Sequence, residues 1–276
     1  MKAALLQMTS GDEPTVNLPV TLGMIRDAAS QGAGFVLTPE VTNCLSSSRK
    51  HQQDVLQHEA DDITLAAIRA EARALGIWIS IGSLALKTDD ADGRFANRSF
   101  MISPAGEIVA RYDKIHMFDV NVSATETYRE SAGYRPGTHA AMVQTPFGTV
   151  GLSICYDLRF AGLYRRLAQA GAEILLVPSA FSATTGKAHW ETLLRARAIE
   201  TGAFVLAAAQ TGAHGGGSGA WRHTHGHSLA VAPWGEVIAD GGTTPGIVMV
   251  DLDRTKVSQA RKRIAALTHD RDFTGP

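Results

Sequence analysis

One pattern occurs twice along the chain, and it constrains the fold more than any single motif. "GAGFVLTPE" from Gly32 and "GAEILLVPS" from Gly171 each read as a helix stop, an apolar strand and a proline at the strand end. Ahead of them stand "AALLQM" from Ala3 and "VGLSIC" from Val150, which read as matching strands. Behind them, a helical pattern and a strand, "DDITLAAIRAEARALG" and "IWISIGSLAL", are answered by "AHWETLLRARAIETG" and "AFVLAAAQ". Each set closes with a hairpin around a Pro-x-Gly-Glu turn, "SFMISPAGEIVAR" from Ser99 and "SLAVAPWGEVIAD" from Ser228. With "TVNLPVTLGMIRDAASQ" as a helix after the first strand, the order is βαβ, which calls for parallel strands. Two copies of such a unit pack sheet on sheet with helices outside. The expected fold is α/β, a four-layer αββα sandwich with an internal pseudo-two-fold duplication, formed as a single domain by residues 1–276.

Composition narrows the function. Lys and Arg number 26 against 27 Asp and Glu, so no global charge steers the chain to nucleic acid or an anionic membrane. The start, "MKAALLQMTSGDE", lacks the long apolar region of a secretory signal, and no stretch reaches the roughly 20 apolar residues of a membrane span. Two cysteines, Cys44 and Cys155, are too few for a disulfide framework and suit a cytoplasmic location. An enzyme acting on a small molecule fits this balance better than a polyanion binder.

In open α/β sheets, ligands bind beyond the carboxyl ends of the parallel strands. Two residues of chemical interest fall there. Cys155 closes "VGLSIC", as a small packed hydrophobe or as a nucleophile. Glu40 follows "GFVLTP", as a helix-capping or surface residue or as a carboxylate that is expensive to bury without partners. Lys114, in "RYDKIHMFD", is either a solvated loop lysine or, given Tyr112, Ile115, Met117 and Phe118 around it, a buried ammonium that needs a carboxylate.

Taken together, "LTPE", "RYDKIHMFD" and "GLSICYDLRF" resemble, in that order, the Glu-Lys-Cys signature of the nitrilase (carbon-nitrogen hydrolase) superfamily. The resemblance covers nearly the whole chain and implies the αββα sandwich already inferred. It implies that Glu40 is the general base, its pKa raised towards neutrality by a dry cleft, that Cys155 is the nucleophile, and that Lys114 is an oxyanion donor together with the backbone N–H of Tyr156. It further implies that Glu130 in "TYRES" supports the lysine, with Glu126 as the competing carboxylate. No cofactor or metal is implied; the partners are a small-molecule amide and water.

Within the superfamily, "SAFSATTGKAHWETLLRARAIET", "GHS" and "PWGEV" are most similar to the branch of deaminated glutathione amidases and ω-amidases. That likeness implies hydrolysis of a carboxylated amide to a carboxylate plus ammonia through a thioester, with deaminated glutathione ahead of 2-oxoglutaramate or 2-oxosuccinamate. It implies that Arg159 pairs with a substrate carboxylate, its alternative being a solvated helix-start arginine, and that Phe181 and Thr185 line the pocket. A small nitrile is the related alternative, and a non-catalytic binding protein the unrelated one. Lys187 stands where the branch has proline and adds a cation near the expected pocket. His223, His225 and His227 alternate, so a strand would put them on one face, as in a metal site or as solvated loop histidines. "HWETLLRARAIE" reads as an amphipathic helix with Glu191 and Arg195 paired at i,i+4. By resemblance, that surface and the C-terminal "RKRIAALTHDRDF" form a homodimer.

Overall fold

Every residue after Lys2 in the first strand is buried, so both faces of its sheet must be covered. Ala3 and Leu5 pack on one face with Phe35, Val150 and Leu176, whereas Ala4 and Leu6 pack on the other with Ile25, Ile68 and Ala72. The first face meets a second sheet and the other meets helices.

The computed structural model describes residues 1–123, 126–215 and 222–275. The first half runs β1 (Lys2–Gln7), α1 (Pro14–Ser30), β2 (Phe35–Leu37), α2 (Arg49–Val55), α3 (Ile63–Leu75), β3 (Trp78–Leu86), β4 (Ala96–Ile102) and β5 (Ile108–Asp113). A small hairpin, β6 (Asp119–Asn121) and β7 (Thr127–Arg129), leads to β8 (Met142–Thr145). The second half continues with β9 (Gly148–Leu152), α4 (Ala161–Gln169), β10 (Ile174–Leu176), α5 (Ala183–Thr201) and β11 (Phe204–Ala207). A further hairpin, β12 (Thr211–His214) and β13 (Arg222–His225), precedes β14 (Leu229–Val231), β15 (Val237–Asp240), β16 (Gly246–Asp251) and α6 (Thr255–Arg263).

One sheet has the order β16-β1-β2-β3-β4-β5 and the other β15-β14-β11-β10-β9-β8. The duplication is therefore visible strand by strand. β1, β2 and β3 are parallel, as are β9, β10 and β11, and each trio is extended by an antiparallel hairpin, β4–β5 or β14–β15. Four layers result, with α1 and α3 outside one sheet and α4 and α5 outside the other. Helix ends follow local chemistry: Asp62 Oδ1 accepts from the Leu65 N–H at 2.7 Å, and Gly76 ends α3 at φ 65°.

Three details depart from the sequence reading. β9 stops at Leu152, and Cys155 opens a 3₁₀ turn over Cys155–Arg159 instead of closing the strand. Side-chain bonds draw the chain out of the ladder there, since Asp157 Oδ2 accepts the Ile154 N–H at 2.9 Å and Ser153 Oγ donates to Leu176 O at 2.7 Å. α5 begins at Ala183, more than a turn before the expected start. The glycine-rich stretch becomes β12 and β13, with residues 216–221 outside the described residues. Both cysteines are free thiols. Among the described residues, no helix is long and apolar enough to cross a membrane.

Gly82 sits where β3 slips register against β4, between Ile81 and Leu84. A Cβ there would lie 2.0 Å from Thr38 O, 2.5 Å from Pro39 O and 2.5 Å from Pro178 Cβ. Only glycine lets the strand-end loops of the two sheets approach this closely. Gly82→Ala is expected to displace the Thr38–Glu40 segment and to cost about 1–3 kcal/mol in urea unfolding, as overpacking does; an unchanged unfolding midpoint would contradict this.

Candidate active site

Three strand ends converge where the sheets meet. Glu40 follows β2 and Lys114 follows β5 in one sheet, while Cys155 follows β9 in the other. All three are buried, with relative exposures of 4%, 2% and 7%. The Lys114 ammonium donates to Glu40 Oε1 at 2.8 Å and to Glu130 Oε1 and Oε2 at 2.9 and 2.8 Å. Asn97, on β4, donates from one amide to both carboxylates, at 2.9 Å to Glu40 and 3.3 Å to Glu130. Backbone N–H groups complete the set, from Ala180 to Glu40 Oε2 at 2.8 Å and from Phe118 to Glu130 Oε2 at 2.6 Å.

Burial and charge pull in opposite directions here, and charge wins at Glu40. Burial alone raises its carboxyl, but the charge and hydrogen bond of Lys114, helped by Arg222, hold it below the ordinary carboxylate value. The expectation of a glutamate raised towards neutrality is therefore corrected: the ion pair outweighs desolvation. Burial alone would lower Lys114, yet Glu130 and Glu40 hold it well above the usual lysine value, so it stays charged. The Cys155 thiol is pushed up by burial and then by the charge of the neighbouring Glu40, with Lys114 pulling the other way. At rest the site holds a thiol beside a carboxylate, and the proton can cross as the sulfur attacks.

Cys155 adopts φ 47°, a left-handed conformation that costs a side-chain-bearing residue about 1–2 kcal/mol. Its N–H is held by Pro178 O at 3.0 Å. Tyr156 stands second in the turn, where an N–H has no acceptor within the turn. Asp157, fully buried, ties the nucleophile turn to the lysine loop: it accepts from Ile154 N–H, from Tyr112 Oη at 2.7 Å and from His116 N–H at 3.0 Å. Residues two positions either side of Lys114 are thereby fixed to residues beside Cys155.

A cavity of about 550 Å³ opens on this centre, lined among others by Glu40, Lys114, Glu130, Cys155, Tyr156, Phe181 and Thr185. Glu126 also lines it but is engaged elsewhere, accepting from Ser182 at 2.6 Å, Thr184 at 2.9 Å and Tyr128 at 2.9 Å. Of the two candidate carboxylates, it is Glu130 that contacts the lysine. Arg159 does not line the cavity; its guanidinium lies 5.4 Å from the Phe181 ring centre and 5.9 Å from that of Tyr156, behind two lining residues. Lys187 is exposed and also outside the lining, because α5 turns it away.

His223 and His225 alternate along β13, and the His225 ring stacks on that of His227 with centres 4.7 Å apart. β13 ends at His225, and His227 lies beyond it at φ 53°, with Nδ1 3.0 Å from Asp240 Oδ1. Among the described residues, the group that brings three metal-ligating side chains together is Asp12, Glu13 and His51, which includes none of them. Asn97, Asp157 and Arg222 are the residues that motif reading missed. Asn97 stands in the mixed stretch "FANRSF" and gave no local signal, whereas Asp157, two residues after Cys155 inside the cysteine motif, was the acid that could have been singled out; both are buried.

Lys114→Met leaves two buried carboxylates without their cation, an expected cost of about 3–5 kcal/mol. The pH dependence reverses as well. With Lys114, the folded Glu40 lies below its unfolded value near 4.5, so its contribution is present above that pH and lost as pH falls through the folded value. Without it, burial raises the folded value, and stability falls as pH rises above about 4.5. Urea midpoints of the variant between pH 5 and 8 should decline with pH; a rising series would refute the sign.

Comparison with known proteins gives the chain its family. The family profile described as carbon-nitrogen hydrolase matches residues 2–262. The chain is 40% identical over 269 residues to the deaminated glutathione amidase of Yersinia enterocolitica, covering 97% of this chain and 92% of that protein. It is 35% identical to the omega-amidase NIT2 of Bos taurus, covering 98% and 95%. The crystal structure of the C. elegans NitFhit protein superposes with a TM-score of 0.90 at 36% identity, over 98% of this chain and 65% of that one, so the chain spans about two thirds of NitFhit. A match that runs through almost every element of both sheets leaves one assignment, and the chain belongs to the carbon-nitrogen hydrolase family.

Proposed function

We propose that this carbon-nitrogen hydrolase is a cysteine-dependent amidase for a small carboxylated amide, and that deaminated glutathione is its substrate. The observation that carries the reading is the convergence of one thiol, one carboxylate and one ammonium on the lining of a single cavity, with the ammonium bonded to the carboxylate. In this mechanism the Cys155 sulfur attacks the amide carbon while its proton passes to Glu40. The oxyanion is met by Lys114 Nζ and the Tyr156 N–H, whose positive ends lie where negative charge develops. Glu40 then returns the proton to the leaving nitrogen, the C–N bond breaks, and a thioester remains on Cys155. Water attacks the thioester with Glu40 again as base, giving the carboxylic acid and the free thiol. Glu130 keeps Lys114 in place, and Asp157 keeps the lysine loop registered on the nucleophile turn.

Substrate identity rests on the relatives' names and on the cavity. The expected ammonia product needs a correction here: deaminated glutathione is a secondary amide whose leaving group is cysteinylglycine, and ammonia leaves only from a primary amide such as 2-oxoglutaramate, the reading favoured by the omega-amidase relative. Arg159, Phe181 and Thr185 are assigned to the substrate's acyl portion, Arg159 acting through Phe181 and Tyr156. A homodimer through α5 and the C-terminal segment is part of the reading. It is supported by Ile199, Trp234 and Ile264, exposed large apolar residues around a groove that α5, α6 and residues 265–268 share.

Cysteinylglycine release from deaminated glutathione should exceed ammonia release from 2-oxoglutaramate in kcat/KM, and Cys155→Ala should lower both by at least about 10⁴-fold. Intact mass during turnover should show the acyl group on Cys155, and release from no amide would end the amidase reading. Asp157→Asn should lower kcat on the order of 10²-fold with KM nearly constant, as a misplaced nucleophile does; a change in KM alone would contradict that role. Replacing Ile199 and Ile264 together by Asp should convert dimers to monomers in light scattering.

A further inference from the structure

The cavity carries more positive charge than the reaction uses. Beside Lys114, its lining contains Arg49, Arg129 and Arg222, and among the described residues none of the three arginines has a carboxylate partner. Two of them are taken up by their own loops. Arg49 donates to Ala132 O and Gly93 O, and Arg129 donates to Val120 O, Tyr128 O and Asn121 Oδ1.

Arg222 is different. It makes one hydrogen bond, from Nη2 to Ala180 O at 2.7 Å, and its guanidinium lies 5.3 Å from the Tyr128 ring centre. Its Nε is buried without a hydrogen-bond partner among the described residues, as is Thr185 Oγ1 in the same lining. A partly buried guanidinium with donors in hand is held for a planar acceptor, and a carboxylate is the group that fits its fork. The neighbouring Glu126 feels the charge of Arg222, but its hydrogen bonds among the described residues come from Ser182, Thr184 and Tyr128 and not from the guanidinium. Nor is Arg222 remote from the chemistry, since the peptide whose oxygen it holds, Ala180, gives its N–H to Glu40.

We infer that Arg222 is a specificity-determining residue of this site, where its guanidinium, braced on Tyr128 and Ala180, receives a carboxylate of the amide substrate. This rests on the amidase reading and deepens it, adding a charge-reading group inside the wall to Arg159 behind it. A carboxylate at Arg222 gains charge-assisted hydrogen bonds in a low-dielectric cavity, whereas an uncharged end leaves the cation unpaired.

The test compares Arg222→Met and Arg222→Lys with the unsubstituted protein on paired amides, 2-oxoglutaramate and its methyl ester. The quantity read is the ratio of kcat/KM for the carboxylated amide to that for the ester. It is expected to fall 10-fold or more in Arg222→Met, mainly through KM, and by less in Arg222→Lys, which keeps the charge but loses the fork. A ratio equal to that of the unsubstituted protein, with both amides slowed alike, would overturn the proposal and make Arg222 a support for Ala180 and Glu40. A second arm needs no turnover: calorimetric binding of 2-oxoglutarate to Cys155→Ala protein should weaken at least 10-fold when Arg222→Met is added, and equal affinity would likewise overturn it. Absence of turnover in the unsubstituted protein would count against the amidase reading alone, because the binding arm still decides on Arg222.

Discussion

One ammonium held between two buried carboxylates is the interaction on which the rest depends. Lys114 joins Glu40 and Glu130, and Asn97 repeats the bridge with a neutral amide. A buried cation between two anions is expensive to assemble, and removing any member leaves charge stranded in a medium that screens it poorly. The arrangement therefore fixes geometry more firmly than it adds stability. It also sets the chemistry, since the same cation that keeps Glu40 ionised stands ready for an oxyanion.

Packing follows from that requirement. Charged groups can meet out of water only where backbone groups are free to satisfy them, and the ends of parallel strands supply such groups. Ala180 and Phe118 donate from loops belonging to different halves of the chain. Gly82 permits the close approach of the two sheets, and Asp157 fastens the lysine loop to the cysteine turn. The candidate site is thus a seam between two sheets, stitched by buried polar contacts on both sides.

Much of this was legible in the residues. The repeated strand, helix and hairpin patterns foretold two packed sheets, their parallel strands and the closing hairpins, because periodicity and turn chemistry are local. Glu40, Lys114 and Cys155 could be named because each carries a motif at a strand end. The hairpins β6–β7 and β12–β13 and the flanking strands β8 and β16 lie outside the repeated unit and left no such trace. Charge balance was the other blind spot. Whether Glu40 rises or falls in pKa depends on a lysine 74 positions away, and whether Arg159 or Arg222 faces the substrate depends on which side of Phe181 and Tyr128 each guanidinium lies. Neither is a property of a short stretch of sequence.

The duplicated unit has a consequence for how the two halves can vary. Cys155 and Glu40 close segments whose counterparts in the other half end at Met8 and Ser179, so the fold contains a second, pseudo-two-fold-related pair of positions that carries neither thiol nor carboxylate. That pair is plugged: Met8 and Ser179 are buried and paired with Gln210 and Ala209, and Gln210 is bonded to Ser10 and to the backbone of Glu40. A symmetric scaffold thus carries one open seat and one that has been filled in, and the filled seat props the back of the open one. Drift at Met8, Ser179 or Gln210 is accordingly constrained by a reaction in which none of them takes part.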